Sequence, residues 1–167
     1  MHVDPVQEAL ELFSKGYNCC QASLLPFLTG ETPQTIEQVL KTTSIFGGGM
    51  GRTGQTCGAI SGAMMALAWK RGTSTIGNQQ KKESVYALAS LWMERFRELF
   101  SETTCPGLTG FDLSDPIQRQ LAQEAHVSEK CARLVETSVR LTQQLLAQTQ
   151  ESQDPSCDSG SNNSSST

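Results

Sequence analysis

Cys57 follows a glycine-rich segment at the point where a helix is predicted to begin, in a run that reads CGAISG over 57–62. The first backbone N–H groups of a helix have no partner inside the helix, and the helix dipole favours negative charge at that end. Both effects stabilise a thiolate, the form of cysteine that attacks disulfides and binds metals. With Thr56 as the predicted cap and Arg52 nearby, we predict that the pKa of the Cys57 thiol is lowered.

Three other cysteines occupy comparable places in the sequence. Cys19 and Cys131 lie in the first turns of predicted helices, behind the candidate caps Asn18 and Ser128. Cys105 lies in a predicted loop and is followed by proline and glycine. The sequence contains no CxxC pair, so neither a zinc ribbon nor a thioredoxin motif is indicated. Because the spacings are long, a site shared by the four cysteines has to be assembled by folding.

Four thiolates support several kinds of chemistry. They suffice to hold a [2Fe–2S] or [4Fe–4S] cluster, and we prefer this interpretation, with Cys19, Cys57, Cys105 and Cys131 as the metal ligands. Without metal, pairs of cysteines would cycle between thiol and disulfide, with Cys57 as the attacking thiolate and Cys19 as a second catalytic thiol. Two further interpretations are a structural zinc site with the same four ligands and an interaction bundle with buried cysteines.

The glycine-rich segment before Cys57 reads GGGMGRTG over 47–54 and contains a literal GxGxxG pattern. A dinucleotide-binding fold would need an acidic residue about 20 positions downstream and a surrounding βαβ unit, and the sequence shows neither. The glycines are better explained by a backbone that closely approaches a neighbouring helix or a cofactor. The residues expected to contact such a cofactor are Gly48, Gly49, Gly51, Arg52 and Gly58.

Composition and charge restrict the class of protein. Of 167 residues, 37% are hydrophobic and 18% charged, which indicates a globular domain able to bury a core. The net charge of -4 argues against general nucleic-acid binding. The longest apolar stretch, 57–69, is shorter than the ~20 residues that a membrane span needs. Six cysteines without a secretory leader favour a cytoplasmic location, where cysteines more often bind metals or do redox work than form structural disulfides.

Apolar residues recur at helical spacing through most of the chain, and no segment alternates with period two over the length of a strand. We therefore predict an all-α fold, a single-domain helical bundle of about six to seven helices within residues 1–150. Its longest helix is predicted from Asn78 to Phe100. Residues 151–167 are rich in Ser, Asn and Asp and lack an apolar pattern, so we predict a disordered tail that includes Cys157.

These motifs resemble the redox-active C_GCAxxG_C_C family. The resemblance spans about residues 5–147 and rests on GYNC at 16–19, on FGGGMGRTGQTCGAISG at 46–62, and on Cys105 and Cys131. It implies a redox-active protein whose four family cysteines are Cys19, Cys57, Cys105 and Cys131. The chain is also distantly similar to the amino-terminal region of split-Soret cytochromes, where cysteines hold an iron–sulfur centre, and this similarity implies the same cofactor.

Several points stay open at the level of sequence. Cys20 adjoins Cys19, so either thiol can serve the site. The redox partner is unidentified, and nothing separates an enzyme from an electron carrier. The apolar stripe of the longest helix, which includes Trp92 and Phe100, can be buried within one chain or between the chains of a homo-oligomer.

Overall fold

The computed structural model describes residues 4–151, with the backbone alone described for 150 and 151. Within that range the protein is all-α, as predicted, and contains no β-strand; one isolated antiparallel bridge joins Thr56 and Thr104. Cys157 and all but the first residue of the predicted disordered tail, 151–167, lie outside the described residues. The helices are α1 (Pro5–Ser14), α2 (Cys19–Leu24), α3 (Pro33–Thr43), α4 (Gly47–Met50), α5 (Gly58–Arg71), α6 (Gln79–Phe100), α7 (Cys105–Thr109), α8 (Pro116–Glu124) and α9 (Val127–Glu151).

Seven of these described helices have six or more residues and match the predicted bundle, whereas α7 is short and was not predicted. α4 is a single turn whose Gly48, Gly49 and Met50 have positive φ, so it is not a right-handed α-helix. Side-chain caps followed directly by proline begin α1, α3 and α8, because proline has no N–H to leave unpaired and its φ suits a first turn. Asn78 caps α6 as expected, and its side chain accepts the Lys81 N–H at 3.1 Å.

The positions of two cysteines relative to their helices differ from the prediction. Cys57 is itself the cap residue of α5, rather than a first-turn residue behind Thr56, because its ψ of 135° is not helical. Cys105 does not lie in a loop. It is the first residue of α7, which Thr104 caps by accepting the Gly107 N–H at 3.2 Å.

The start of α9 also differs from the prediction. His126 has a positive φ of 51°, which interrupts the right-handed helical backbone after α8, so that α9 begins at Val127. Ser128 is therefore a helical residue and not a cap. Cys131 consequently lies in the second turn of α9, away from the unpaired N–H groups that begin a helix.

The core is built around the contact between α2 and α5. Gly62 of α5 lies against the backbone of α2, where an added Cβ would overlap the Cys20 carbonyl and approach Ser23 Cβ to 2.9 Å. α9 packs across α1, α2 and α5, and α6 packs against α5 and α9. Trp92 of α6 is fully buried and donates from Nε1 to Thr142 Oγ1 of α9 at 3.1 Å.

None of the helices within residues 4–151 combines the length and the apolar character needed to cross a membrane.

Candidate functional site

Four cysteines from four different helices line one cavity of about 190 Å³. They are the four predicted from the sequence, Cys19, Cys57, Cys105 and Cys131. All cysteines in the described part of the chain are free thiols. Cys57 and Cys105 are buried, whereas Cys19 and Cys131 are partly exposed.

Cys57 and Cys105 are positioned by two backbone hydrogen bonds between the segments that precede α5 and α7. The Cys57 N–H donates to the Thr103 carbonyl at 2.9 Å, and the Cys105 N–H donates to the Gln55 carbonyl at 2.9 Å. Because these bonds act on the cysteines' own backbone, they fix where both side chains begin. The two buried thiols are thus brought to the cavity by main-chain pairing.

A second set of bonds connects α7 to α9. Thr109 Oγ1 donates to the Cys105 carbonyl at 2.7 Å, and Lys130 Nζ donates to the Thr109 carbonyl at 3.0 Å. Lys130 directly precedes Cys131. The same chain of contacts therefore ties the helix of Cys131 to the helix of Cys105.

The glycine-rich segment wraps one side of the cavity in a left-handed conformation. Gly48, Gly49, Met50, Gly51 and Arg52 have consecutive φ values between 58° and 72°. Glycine adopts this conformation without strain, whereas Met50 and Arg52 do so at a cost of roughly 1–2 kcal/mol each.

Three of the five residues predicted to contact a cofactor lie at the cavity or against its cysteines. Gly48 lines the cavity. A Cβ on Gly49 would lie 2.7 Å from Cys105 Cβ, and a Cβ on Gly58 would overlap the Cys19 sulfur. Because Gly49 and Gly58 have no side chains, the segments that carry Cys105 and Cys19 can lie directly against them.

The other two predicted cofactor contacts, Gly51 and Arg52, do not line the cysteine cavity. The left-handed turn carries both residues outward. The nearest atoms to a Cβ on Gly51 belong to Ile45, at 3.6 Å, and Arg52 lines a separate surface cavity that it shares with Arg119. The stem of Arg52 lies close behind Gly48, so its contact with the site is indirect.

Cys19 is the thiol most readily ionised. The hydrogen bond that it shares with the Cys57 thiol lowers the pKa of Cys19 to about 6, and the backbone N–H groups of Gly48, Cys19 and Cys20 act in the same direction against the effect of burial. The two N–H groups from α2 are the unpaired donors of a helix start. Cys19 is therefore the cysteine of the cavity at which the thiolate form is favoured.

The remaining thiols of the cavity are held neutral. The pKa of Cys57 is raised, first because its S–H donates to the Cys19 sulfur and then by burial, so the predicted lowering at Cys57 is wrong. Burial, and then the negative charge of Cys19, raises the pKa of Cys105 and raises that of Cys131 to about 12. The charged form is thus favoured at Cys19 and disfavoured at the other three cysteines of the cavity.

Cys20 is separated from its neighbour Cys19 by the geometry of the helix. Its sulfur is fully buried against Met65 Sδ at 3.9 Å and does not line the cavity. Burial raises the pKa of Cys20 to about 12, and the charge of Cys19 adds to this effect. The ambiguity between the two adjacent cysteines is therefore resolved in favour of Cys19 as the residue at the cavity.

Sequence reasoning did not assign four further residues to the site. Phe13, Asn18, Thr109 and Leu113 also line the cavity. Asn18 was predicted only as a helix cap, although its place directly before Cys19 was a usable signal. The other three have no such signal, because they reach the cavity from α1, from α7 and from the loop after α7.

Within residues 4–151 no group of three or more His, Cys, Asp or Glu side chains is arranged to hold a metal ion. The four cysteines line their cavity without converging on one ion-sized point.

The fold and the site define an all-α protein with a cavity of four cysteine thiols. The family model described as "Putative redox-active protein (C_GCAxxG_C_C)" matches residues 17–145. The chain belongs to this C_GCAxxG_C_C family of redox-active proteins. No curated protein and no solved structure gives a match to the chain.

Proposed function

We propose that the four cysteines hold an iron–sulfur cluster that serves electron transfer or sensing. The shared cavity carries this proposal, because thiols from four separate helices border one space of about 190 Å³. Cysteine often serves as a small buried hydrophobic residue, and Cys20 in this chain packs that way against Met65. Packing alone gives no reason for the other four to share a cavity.

The chemistry of the surrounding groups suits such a cluster. Thiolates are the usual ligands of iron–sulfur clusters, and hydrogen bonds to their sulfurs tune the reduction potential. Cys19, Cys57 and Cys105 lie at helix starts, where backbone N–H groups favour an anionic ligand set. When bound, the cluster would supply one-electron redox chemistry. A structural zinc site with the same four cysteine ligands is the redox-inert alternative to this proposal.

A second candidate, metal-free thiol–disulfide exchange, is favoured by the hydrogen bond between Cys19 and Cys57. The Cys19 thiolate would attack a disulfide of the redox partner and release one partner thiolate. Cys57 would then lose its proton and attack the Cys19 sulfur, releasing the second partner thiolate. The partner gains two electrons, and the chain keeps a Cys19–Cys57 disulfide.

The test is anaerobic purification of the full chain, followed by analysis of iron, zinc and acid-labile sulfide and by an absorption spectrum. We expect a brown protein with similar amounts of iron and sulfide and visible thiolate-to-iron absorption. A colourless, iron-free protein, even after reconstitution with ferrous iron and sulfide, would contradict the proposal. In that case a gain of two free thiols on reduction would support the second candidate, and bound zinc would support a structural site.

A further inference from the structure

Asn18 makes more contacts than a helix cap needs. Its Oδ1 accepts the Gln21 N–H at 3.0 Å, and Gln21 Oε1 accepts the Asn18 N–H at 3.1 Å, which completes a capping box for α2. Its Nδ2 also donates to the carbonyls of Thr43 and Ser44, at 3.2 Å and 3.1 Å. These last two bonds add nothing to the cap and connect α2 to the end of α3.

The carbonyls that Asn18 binds lie where α3 passes directly into a 3-10 turn, Ser44–Phe46. A carbonyl oxygen has two lone pairs, so it can accept a bond from a side chain as well as one from the backbone. The amide of Asn18 binds two of these carbonyls, and Gln21 Nε2 donates to the Leu40 carbonyl at 2.9 Å, one turn earlier. The first turn of α2 is therefore attached by three hydrogen bonds to the last turn of α3 and the residue after it.

The glycine-rich turn lies directly on the same side chain. A Cβ on Gly47 would lie 2.8 Å from Asn18 Cβ, closer than real Cβ atoms approach. The next residue, Gly48, lines the cavity together with Cys19 and Asn18. Asn18 thus fixes the distance between the segment 43–47 and α2, and this distance determines where Gly48 lies relative to Cys19.

We propose that Asn18 is a positioning residue of the four-cysteine site. Its amide, rather than its capping oxygen, holds Cys19 at the cavity wall that it shares with Cys57 and Gly48. The inference rests on the proposed function only in requiring that Cys19 and Cys57 act together, which both the cluster and the disulfide candidates demand.

The experiment measures how fast Cys19 and Cys57 form a disulfide in the full chain, reduced and freed of metal with a chelator. Diamide is the oxidant: the two thiols lose two protons and two electrons to its N=N bond, giving one disulfide and one hydrazine. Quenched time points are analysed by peptide mapping. The variants are N18S, which keeps a capping oxygen but loses the amide, and its matched control N78S, at the cap of α6.

We expect N78S to react at the wild-type rate and N18S to react about tenfold more slowly, since displacements near 1 Å can cost even more. G47A provides a second variant should N18S fail to fold. The Gly47 φ of -66° suits alanine, so its added methyl acts only by pushing the turn away from Asn18, and it should also slow the reaction.

Folded N18S and G47A proteins that react at the wild-type rate would overturn the proposal. A wild-type chain that forms no Cys19–Cys57 disulfide would overturn it as well. Because the readout needs no metal, an iron-free protein that still shows the N18S effect would contradict the cluster and leave the role of Asn18 supported.

Discussion

Cys19 and Cys57 exchange the roles that their sequence positions suggest. Both lie at helix starts, and Cys57 was expected to be the thiolate, but the pKa of Cys19 is lowered and that of Cys57 is raised. After the Cys57 thiol, the backbone N–H groups of Gly48, Cys19 and Cys20 lower the pKa of Cys19. A local rule predicts that a helix start favours a thiolate, but it cannot tell which of two thiols in contact donates to the other.

The direction of this hydrogen bond predicts how Cys57 affects Cys19. Replacing Cys57 with alanine removes the S–H donor, so the pKa of Cys19 should rise and its alkylation by iodoacetamide at pH 7 should slow about tenfold. C57S keeps a donor at the same place and should retain most of the rate. The measurement is peptide-resolved mass spectrometry of the reduced, metal-free chain. Equal rates in wild type and C57A would show that Cys57 does not stabilise the thiolate.

Met50 offers a test of the left-handed turn. It is partly exposed at 43% and has a φ of 58°, a conformation that favours glycine. M50G should therefore raise the free energy of unfolding by about 1 kcal/mol. M50A also removes the side chain but keeps the unfavourable φ, so it should bring no such gain in urea unfolding. A loss of stability in M50G relative to M50A would contradict the left-handed assignment.

At the scale of elements, the contact between α2 and α5 sets the spacing of Cys19 and Cys57. G62A should destabilise the fold by about 1–3 kcal/mol, because its methyl would overlap the Cys20 carbonyl and the helices must separate. The control is S90A, at an exposed serine of α6, because it also replaces a helical residue with alanine without a buried contact. The free energy of unfolding should change little in S90A. Urea unfolding compares the two, and equal stability would mean that α2 and α5 are not in close contact.

The sequence was sufficient for elements whose signals are local. The capping residue Asn78 and the apolar stripe predicted α6 to within one residue, and Asn18 correctly marked the start of α2. The short helix α7 was missed because Pro106 and Gly107 suggest a loop, whereas Thr104 caps a helical turn there. The bond from the Cys105 N–H to the Gln55 carbonyl joins segments that are distant in sequence, and no local pattern contains it.

At the scale of the molecule, the thiols predict how stability depends on pH. Cys19 has a pKa of about 6 in the folded chain and 9.0 as its ordinary value, so the unfolded chain binds more protons between these values and stability rises with pH. The pKa values of Cys20 and Cys131 are each raised to about 12 in the folded chain. Above pH 9 the folded chain therefore keeps protons that the unfolded chain loses, and stability falls as the pH rises.

Thermal unfolding of the reduced, metal-free chain should therefore show a stability maximum between about pH 8 and pH 9. The C19S variant should lose the rise between pH 6 and pH 9 but keep the fall at higher pH. A rise that persists unchanged in C19S would contradict the assignment of the thiolate to Cys19.

The set of site cysteines could be predicted, but the cavity could not. Position at helix starts and the resemblance to the C_GCAxxG_C_C family together selected Cys19, Cys57, Cys105 and Cys131, and these four line the cavity. Phe13 and Leu113 complete its wall from α1 and from the loop after α7, outside the helices that carry the cysteines. Their contribution depends on how α1 and the loop after α7 pack, which periodicity does not reveal.

The central claim is that these four thiols act as one ligand set, and the iron and acid-labile sulfide content per chain tests it most directly. Single serine variants at each of the four positions are compared with C20S, which alters an adjacent thiol outside the cavity. We predict that C20S keeps the wild-type content and that each of the four site variants loses most of it. Wild-type protein without iron, or a C57S variant that holds as much iron and sulfide as C20S, would contradict the claim.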